Sequence, residues 1–339
     1  THTIDGNIVD AAGNNTLALS VTGDDVTIDG SGANQITFEA GIAADASNTI
    51  ITDFDNVNAA VVVGGVTAGS SASITEVATA VTGDLTVTDG SLAATNVVLV
   101  TGNVVVTDGT IDFTNVDTIT GNVDVNVTTT SSIATSDLIT GNLTVQEGTL
   151  NLDTDNLDGN VTVDDANANA ATLNLTADLV LTGNLTVNNE GTLDITTFDI
   201  TLDNNSAVYT SESDAATFTA TTGILAVNAG TTDIDFDANG DSLVNVSIPA
   251  TATGAEMLSD LAVTGNLVLD EDLAGAFELN IAGNATLSNT LTAGTLVLGG
   301  SASTVTLTTD ITMPSAVEVN SAGTVTIVTD DVTAPITYR

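Results

Sequence analysis

The chain has 339 residues, with 44 Asp plus Glu, a single Lys or Arg (Arg339) and a formal net charge of −43. So few cations exclude phosphate neutralisation, hence nucleic-acid binding, and equally exclude attraction to an anionic membrane surface. Cysteine is absent and His2 is the one histidine, which excludes disulfides, thiol redox chemistry and a histidine-activated nucleophile.

Apolar residues make up 42% of the chain, too many for a disordered polyanion, while aromatic residues make up 3% and tryptophan is absent. The expected core is therefore a thin, repeated slot filled by Val, Leu, Ile and Ala, without the large anchors of an irregular interior. No apolar run approaches the roughly 18 residues that a bilayer span requires, so membrane insertion is not expected.

From Thr1 to Phe38 short alternating runs predict strands at Ile4 and Ile8, at Leu17, Leu19 and Val21, and at Val26 and Ile28. Turn clusters at Asp5-Gly6-Asn7, Gly13-Asn14-Asn15 and Gly23-Asp24-Asp25 separate them. Residues 39–81 lose this phase, and Ile74 to Val81 reads as a short helix or a strand. Residues 82–203 are the most regular. A Thr-Gly-Asn/Asp-x-x-Val beat ends at Val87, Val106, Val125, Val145 and Val187, and with Asp in place of Thr at Val163.

One complete copy is 140–159, in which Leu143 and Val145, then Leu150 and Leu152, then Leu157 alternate with polar residues, with corners at Glu147-Gly148 and Asp153 to Asn156. Its corner glycine recurs at Gly83, Gly102, Gly121, Gly141 and Gly159, 19, 19, 20 and 18 residues apart, and again at Gly183, Gly265 and Gly283. Strand chemistry at that period predicts an all-β fold, a parallel β-helix (β-solenoid) of about 19-residue, three-strand rungs. The longer step from Gly159 to Gly183 implies an insertion at one corner, Asp164 to Ala171. Residues 204–262 lose the period, and Thr253 to Leu261 is the best helix candidate. The beat resumes over 263–310, and Pro314 and Pro335 mark corners or an edge. The expectation is one elongated solenoid over 1–339, regular at 82–203 and 263–310 and irregular at 39–81 and 204–262.

The Gly-Asn-Leu-Thr-Val beat and its period resemble the repeats of filamentous-haemagglutinin-like exoproteins, autotransporter passengers and related β-strand-repeat surface proteins. The resemblance covers about half of the chain, mainly 82–203 and 263–310. It implies a right-handed parallel β-helix in an extracellular setting, with no particular activity.

Catalysis is not expected, because no general base, Schiff-base lysine or arginine clamp accompanies the carboxylates. Metal binding is the strongest local signal. Asp235-x-Asp237-x-Asn239-Gly240-Asp241 matches the first half of an EF-hand-type calcium loop, in which alternate oxygens converge on the ion. Position twelve is Val246 instead of a bidentate acid, so such a site would be weak or completed elsewhere. The candidate set is Asp233, Asp235, Asp237, Asn239 and Asp241, with structural Ca2+ as the expected cofactor. The competing reading makes Asp233 to Asp237 a strand, with Ile234 and Phe236 inward and the carboxylates outward.

Lesser acidic clusters are Asp24, Asp25 and Asp29; Asp153, Asp155 and Asp158; and Asp270, Glu271 and Asp272. The sequons at Asn142, Asn160 and Asn184 follow equally from a corner Asn before a Thr-rich strand. The expected role is a secreted structural protein, the protomer of an extracellular fibre, sheath or surface layer that stacks head to tail on copies of itself and is held by divalent cations. The tail Thr333 to Arg339 is a candidate for strand exchange between subunits. The alternative is an adhesin stalk or binding module that uses 39–81 and 204–262 to contact a cell-surface or matrix ligand.

Overall fold

The computed structural model describes residues 80–299, with breaks at 89, 95–96, 166–169, 205, 212–215, 229, 232, 239–241, 289–290 and 293. Outside that span it describes short strands from His2–Thr3 to Ser73–Thr75 and from Thr304–Leu307 to Ile336–Tyr338. Two compact units are present, the first comprising Thr1–Gly159 with Ala166–Ala177 and the second Asn160–Asp165 with Asp178–Arg339.

Every described element is a β-strand, and strands of successive turns pair in parallel. In the first unit Ala80–Thr82 pairs with Leu99–Thr101, Leu85–Val87 with Val104–Val106, and Ser91–Ala94 with the start of Thr110–Ile119. Three strands thus make one turn of a β-solenoid, and the alternation read in the sequence becomes columns of identical facing. One inward column is Val81, Val100, Ile119, Ile139 and Leu157. A second is Leu85, Val104, Val123 and Leu143, and a third Phe113, Ile133, Leu152 and Leu175. All of these are buried. Fully burying one such side chain contributes about 1.5–3 kcal/mol, opposed by the entropy of fixing the backbone, so stability accumulates turn by turn.

The second unit has three faces of the same kind. Its inward columns include Leu179, Ile200, Leu225, Val246 and Leu267 on one face, and Val161, Leu185, Tyr209, Phe236 and Met257 on the next. The third holds Leu243, Val263, Ile281, Leu298 and Val319. The aliphatic core expected from composition needs one correction. Tyr209, Phe113 and Phe236 are among the largest fully buried side chains, and Tyr209 lies directly beneath Phe236.

The recurrent Gly-Asn corner has a steric cause and a hydrogen-bonding cause. A Cβ on Gly102 would be driven into the carbonyl of Gly83, one on Gly121 into that of Gly102, one on Gly141 into that of Gly121, and one on Gly159 into that of Gly141. Only glycine lets successive corners approach this closely. The following residue then links the turns. Asn103 N donates to Asp84 Oδ1 at 2.8 Å, Asn122 N to Asn103 Oδ1 at 3.0 Å and Asn142 N to Asn122 Oδ1 at 2.9 Å. In the second unit Asn184 N donates to Asn160 Oδ1 at 2.8 Å, and Asn266 N to Asn245 Oδ1 at 2.9 Å. Each side chain satisfies a corner N–H that no strand reaches.

The step along these ladders is not constant. Partners lie 19 residues apart at Asp84 and Asn103, 24 at Asn160 and Asn184, 25 at Asp199 and Ile224, and 18 at Asn266 and Asn284. Extra residues enter at corners and leave the columns intact. The segment 204–262 accordingly continues the stack through Ser206–Ser211, Leu225–Val227, Asp233–Asp237 and Val246–Ile248. The helix expected over Thr253 to Leu261 is a strand, Ala255–Met257. Ala255 stacks on Ile234 and Met257 on Phe236, and this burial overrides the helix propensity of Ala-Glu-Met. The ambiguous run Ile74 to Val81 likewise contributes strands, Ser73–Thr75 and Ala80–Thr82.

Replacing Gly121 by Ala should lower stability by about 1–3 kcal/mol, because the clash is with backbone that cannot yield. Asn122→Ala should lower it by only about 0.5–1.5 kcal/mol, because water can reach the corner. Urea unfolding of the full chain tests the order, and a Gly121→Ala variant as stable as the parent would contradict close corner stacking.

Candidate functional site

The candidate metal residues lie on the second unit. Asp233–Asp237 is an extended strand in which Ile234 and Phe236 are 0% and 1% exposed, while Asp233 is exposed and Asp235 and Asp237 are half-buried. The alternation sends the apolar pair inward, where Phe236 stacks on the buried Tyr209 below it in register. The three carboxylates therefore stand in a row along one face, about 6.6 Å from one to the next, rather than curling round a point. An ion held by six to eight oxygens at about 2.3–2.6 Å needs convergence that this row does not supply by itself. Asn239 and Asp241 lie outside the described residues. Of the set, the strand brings together Asp233, Asp235 and Asp237.

The structure adds a residue that the motif does not contain. Glu256 is the register partner of Asp235 on the next turn, which places two carboxylates about one strand spacing apart, roughly 4.8 Å. Burial first, then the charges of Asp233 and Glu256, push the Asp235 carboxyl above the ordinary aspartate value. Asp153 is raised by burial and then by Asp155. Asp124, an outward residue in line with Val105 and Thr144, is raised by burial alone, and its Oδ1 is enclosed with no hydrogen-bond partner. Asp165 Oδ1 and Asn188 Oδ1 are enclosed in the same way.

Of the other acidic clusters, Asp153 and Asp155 lie close enough for their charges to interact. Asp29 ends the strand Val26–Asp29, while Asp24 and Asp25 lie outside the described residues. Among the described residues no group of three or more His, Cys, Asp or Glu is arranged to enclose a metal ion. Chemically, the acidic face is a row of anions that attracts counter-ions along its length. The sequon residue Asn160 is occupied as a ladder acceptor through its side-chain oxygen, which accounts for its recurrence without reference to sugar.

No family model matches this chain, and no curated protein or solved structure matches it.

The raised carboxyls fix the sign of the pH dependence. Between the ordinary aspartate value of 3.8 and the higher folded values of Asp124, Asp153 and Asp235, the folded state binds more protons than the unfolded state. Stability therefore falls as pH rises through that window and is regained as pH is lowered through it. The melting temperature should rise as pH is lowered from 7 toward that value, and Asp235→Asn should raise the neutral-pH melting temperature and flatten the dependence. A melting temperature that drops over the same interval would contradict this account.

Proposed function

We propose that the chain is a secreted structural protein, a solenoid protomer that stacks head to tail into an extracellular fibre, sheath or surface layer and carries no catalytic activity. One observation supports this most. The inward column Leu243, Val263, Ile281, Leu298 and Val319 is built from parallel strands in unbroken register, each turn laid on the one before. A strand of such a stack offers its edge N–H and C=O groups to any further parallel strand, so one solenoid is a template for another. Stacking of unlike ends does not close on itself, so it extends into filaments. The strand Ile336–Tyr338 pairs with Ala316–Asn320 of the same chain, which gives no support to exchange of the Thr333 to Arg339 tail.

Divalent cations, calcium first among extracellular ones, belong to this proposal as counter-ions for the acidic rows. The resemblance to filamentous-haemagglutinin-type exoproteins is compatible with an extracellular rod. The adhesin alternative draws less support, because its proposed contact segment 204–262 is itself built of stacked strands.

Electron microscopy of the full chain in about 1 mM calcium, the range that extracellular calcium modules use, should show filaments that shorten on chelation. Tyr338→Asp, which charges an aromatic side chain that is 77% exposed, should shorten them while leaving the circular dichroism spectrum unchanged. Dispersed particles at high protein concentration with calcium present would overturn the proposal.

A further inference from the structure

Asn-x-Ser/Thr sequons recur along the chain, and the fold uses their asparagines in different ways. Four of them tie neighbouring turns together through the side-chain nitrogen. Asn126 Nδ2 donates to Gln146 Oε1 at 3.5 Å, Asn174 Nδ2 to Asn151 Oδ1 at 2.9 Å, Asn245 Nδ2 to Gly223 O at 2.9 Å and Asn284 Nδ2 to Asn266 Oδ1 at 3.4 Å. That nitrogen is the atom that carries the sugar in an N-linked glycan, and here a sugar would have to fit between turns about 4.8 Å apart. Asn142 and Asn160 lie inside the corner ladder. The corner of Gly159 is stacked closely on the corner of Asn142, and Asn160 Oδ1 accepts from Asn184 N at 2.8 Å.

Asn184, in Asn184-Leu185-Thr186, is placed differently. Its backbone N–H continues the ladder, but its own side chain is exposed and makes no hydrogen bond to any described residue. The cause lies in the next turn. Leu185 pairs with Tyr209 inside the longer strand Ser206–Ser211, so no Gly-Asn corner is stacked there to donate to the Asn184 oxygen. Leu185 is buried and fixes the start of its strand. Thr186 takes the outward position, in register with Thr162 and Thr210, and its hydroxyl likewise has no hydrogen-bond partner among the described residues. Asn204 opens another sequon one turn on and is also exposed, but its middle residue, Asn205, lies outside the described residues.

We propose that Asn184 is an acceptor site for an N-linked glycan. In the transfer the bond from Nδ2 to C1 of the sugar forms, and the bond from C1 to the diphosphate of an activated sugar donor breaks. The diphosphate leaves with the electron pair, and Nδ2 gives up one proton to the transferase. The chain supplies an amide that faces water, a hydroxyl two residues further on for the transferase to recognise, and a side chain whose modification breaks no bond of the stack. The site rests on the exported role proposed above, because sequons are glycosylated on secreted chains.

The test is peptide mass spectrometry of the full-length protein recovered from the cells that make it. Cleavage before aspartate releases residues 178–193, in which Asn184 begins the one sequon. That peptide should be heavier by one or more sugar residues, and fragmentation should place the added mass on Asn184. Full-length Thr186→Val, which keeps a β-branched strand residue but removes the hydroxyl, should give the unmodified mass with an unchanged circular dichroism spectrum. Added mass that survives Thr186→Val, or sugar on Asn126, Asn174, Asn245 or Asn284 at a level equal to that on Asn184, would overturn the inference. Unmodified Asn184 in protein recovered outside the cell would overturn it and leave the structural role standing. Sugar on Asn184 in protein recovered only from inside the cell would support the site and overturn the exported role.

Discussion

The architecture depends on how closely one corner of the chain can lie on the corner beneath it. At Gly102, Gly121, Gly141 and Gly159 the space where a side chain would begin is already filled by a carbonyl of the preceding turn. That approach lets the neighbouring strands fall into parallel register. Register puts Val over Val and Leu over Leu, and those columns exclude water. A wider corner would splay all three faces of a turn, so the glycine acts on every strand that follows it.

The residue just before each strand, which follows the glycine at Asp84, Asn103 and Asn122 but follows Val244, Ala177 and Phe198 at Asn245, Asp178 and Asp199, does a different task. Asn103, Asn122 and Asn245 each accept a backbone N–H from the next turn, and Asp84, Asp178 and Asp199 do the same with a charged oxygen. A carboxylate makes the stronger individual bond but adds to the repulsion of a polyanion, whereas an amide makes the bond without the charge. The mixture of Asn and Asp along the ladders thus sets where the surface is anionic. Asp199 gives way first to Ile224 and then to Asn245, Asn266 and Asn284 along one face of the second unit, and the outward column beside them, from Val180 to Thr306, carries no acid. The acidic face, with Asp235 and Glu256 side by side, remains a place where protons or cations relieve repulsion.

The strands and their stacking were legible in the sequence because both signals are local. Alternation shows within five residues, and the Gly-Asn corner repeats at a nearly constant step through 82–203. What was not legible depends on the turn beneath. Ala255-Glu256-Met257 reads as helix until Ile234 and Phe236 are placed under it. The calcium-loop pattern from Asp235 to Asp241 has the composition of a turn, yet its first half is extended because Ile234 and Phe236 stack on the turns around them. Glu256 joins Asp235, and Tyr209 meets Phe236, across steps that vary from corner to corner, so no fixed period predicts either pair. The neutral column is invisible for the same reason, its members being gathered from turns of unequal length.

The central claim is that successive turns sit directly above one another in fixed register, and it is tested most directly by distances along one column. Spin labels on cysteine pairs joining Val180 to Val268, Thr286 or Thr306 span four, five and six register steps. Dipolar spectroscopy should give separations that grow linearly, by about 4.8 Å per step, from roughly 19 to roughly 29 Å. Separations that do not increase in that order, or that scatter without regard to register, would contradict the stacked-corner account.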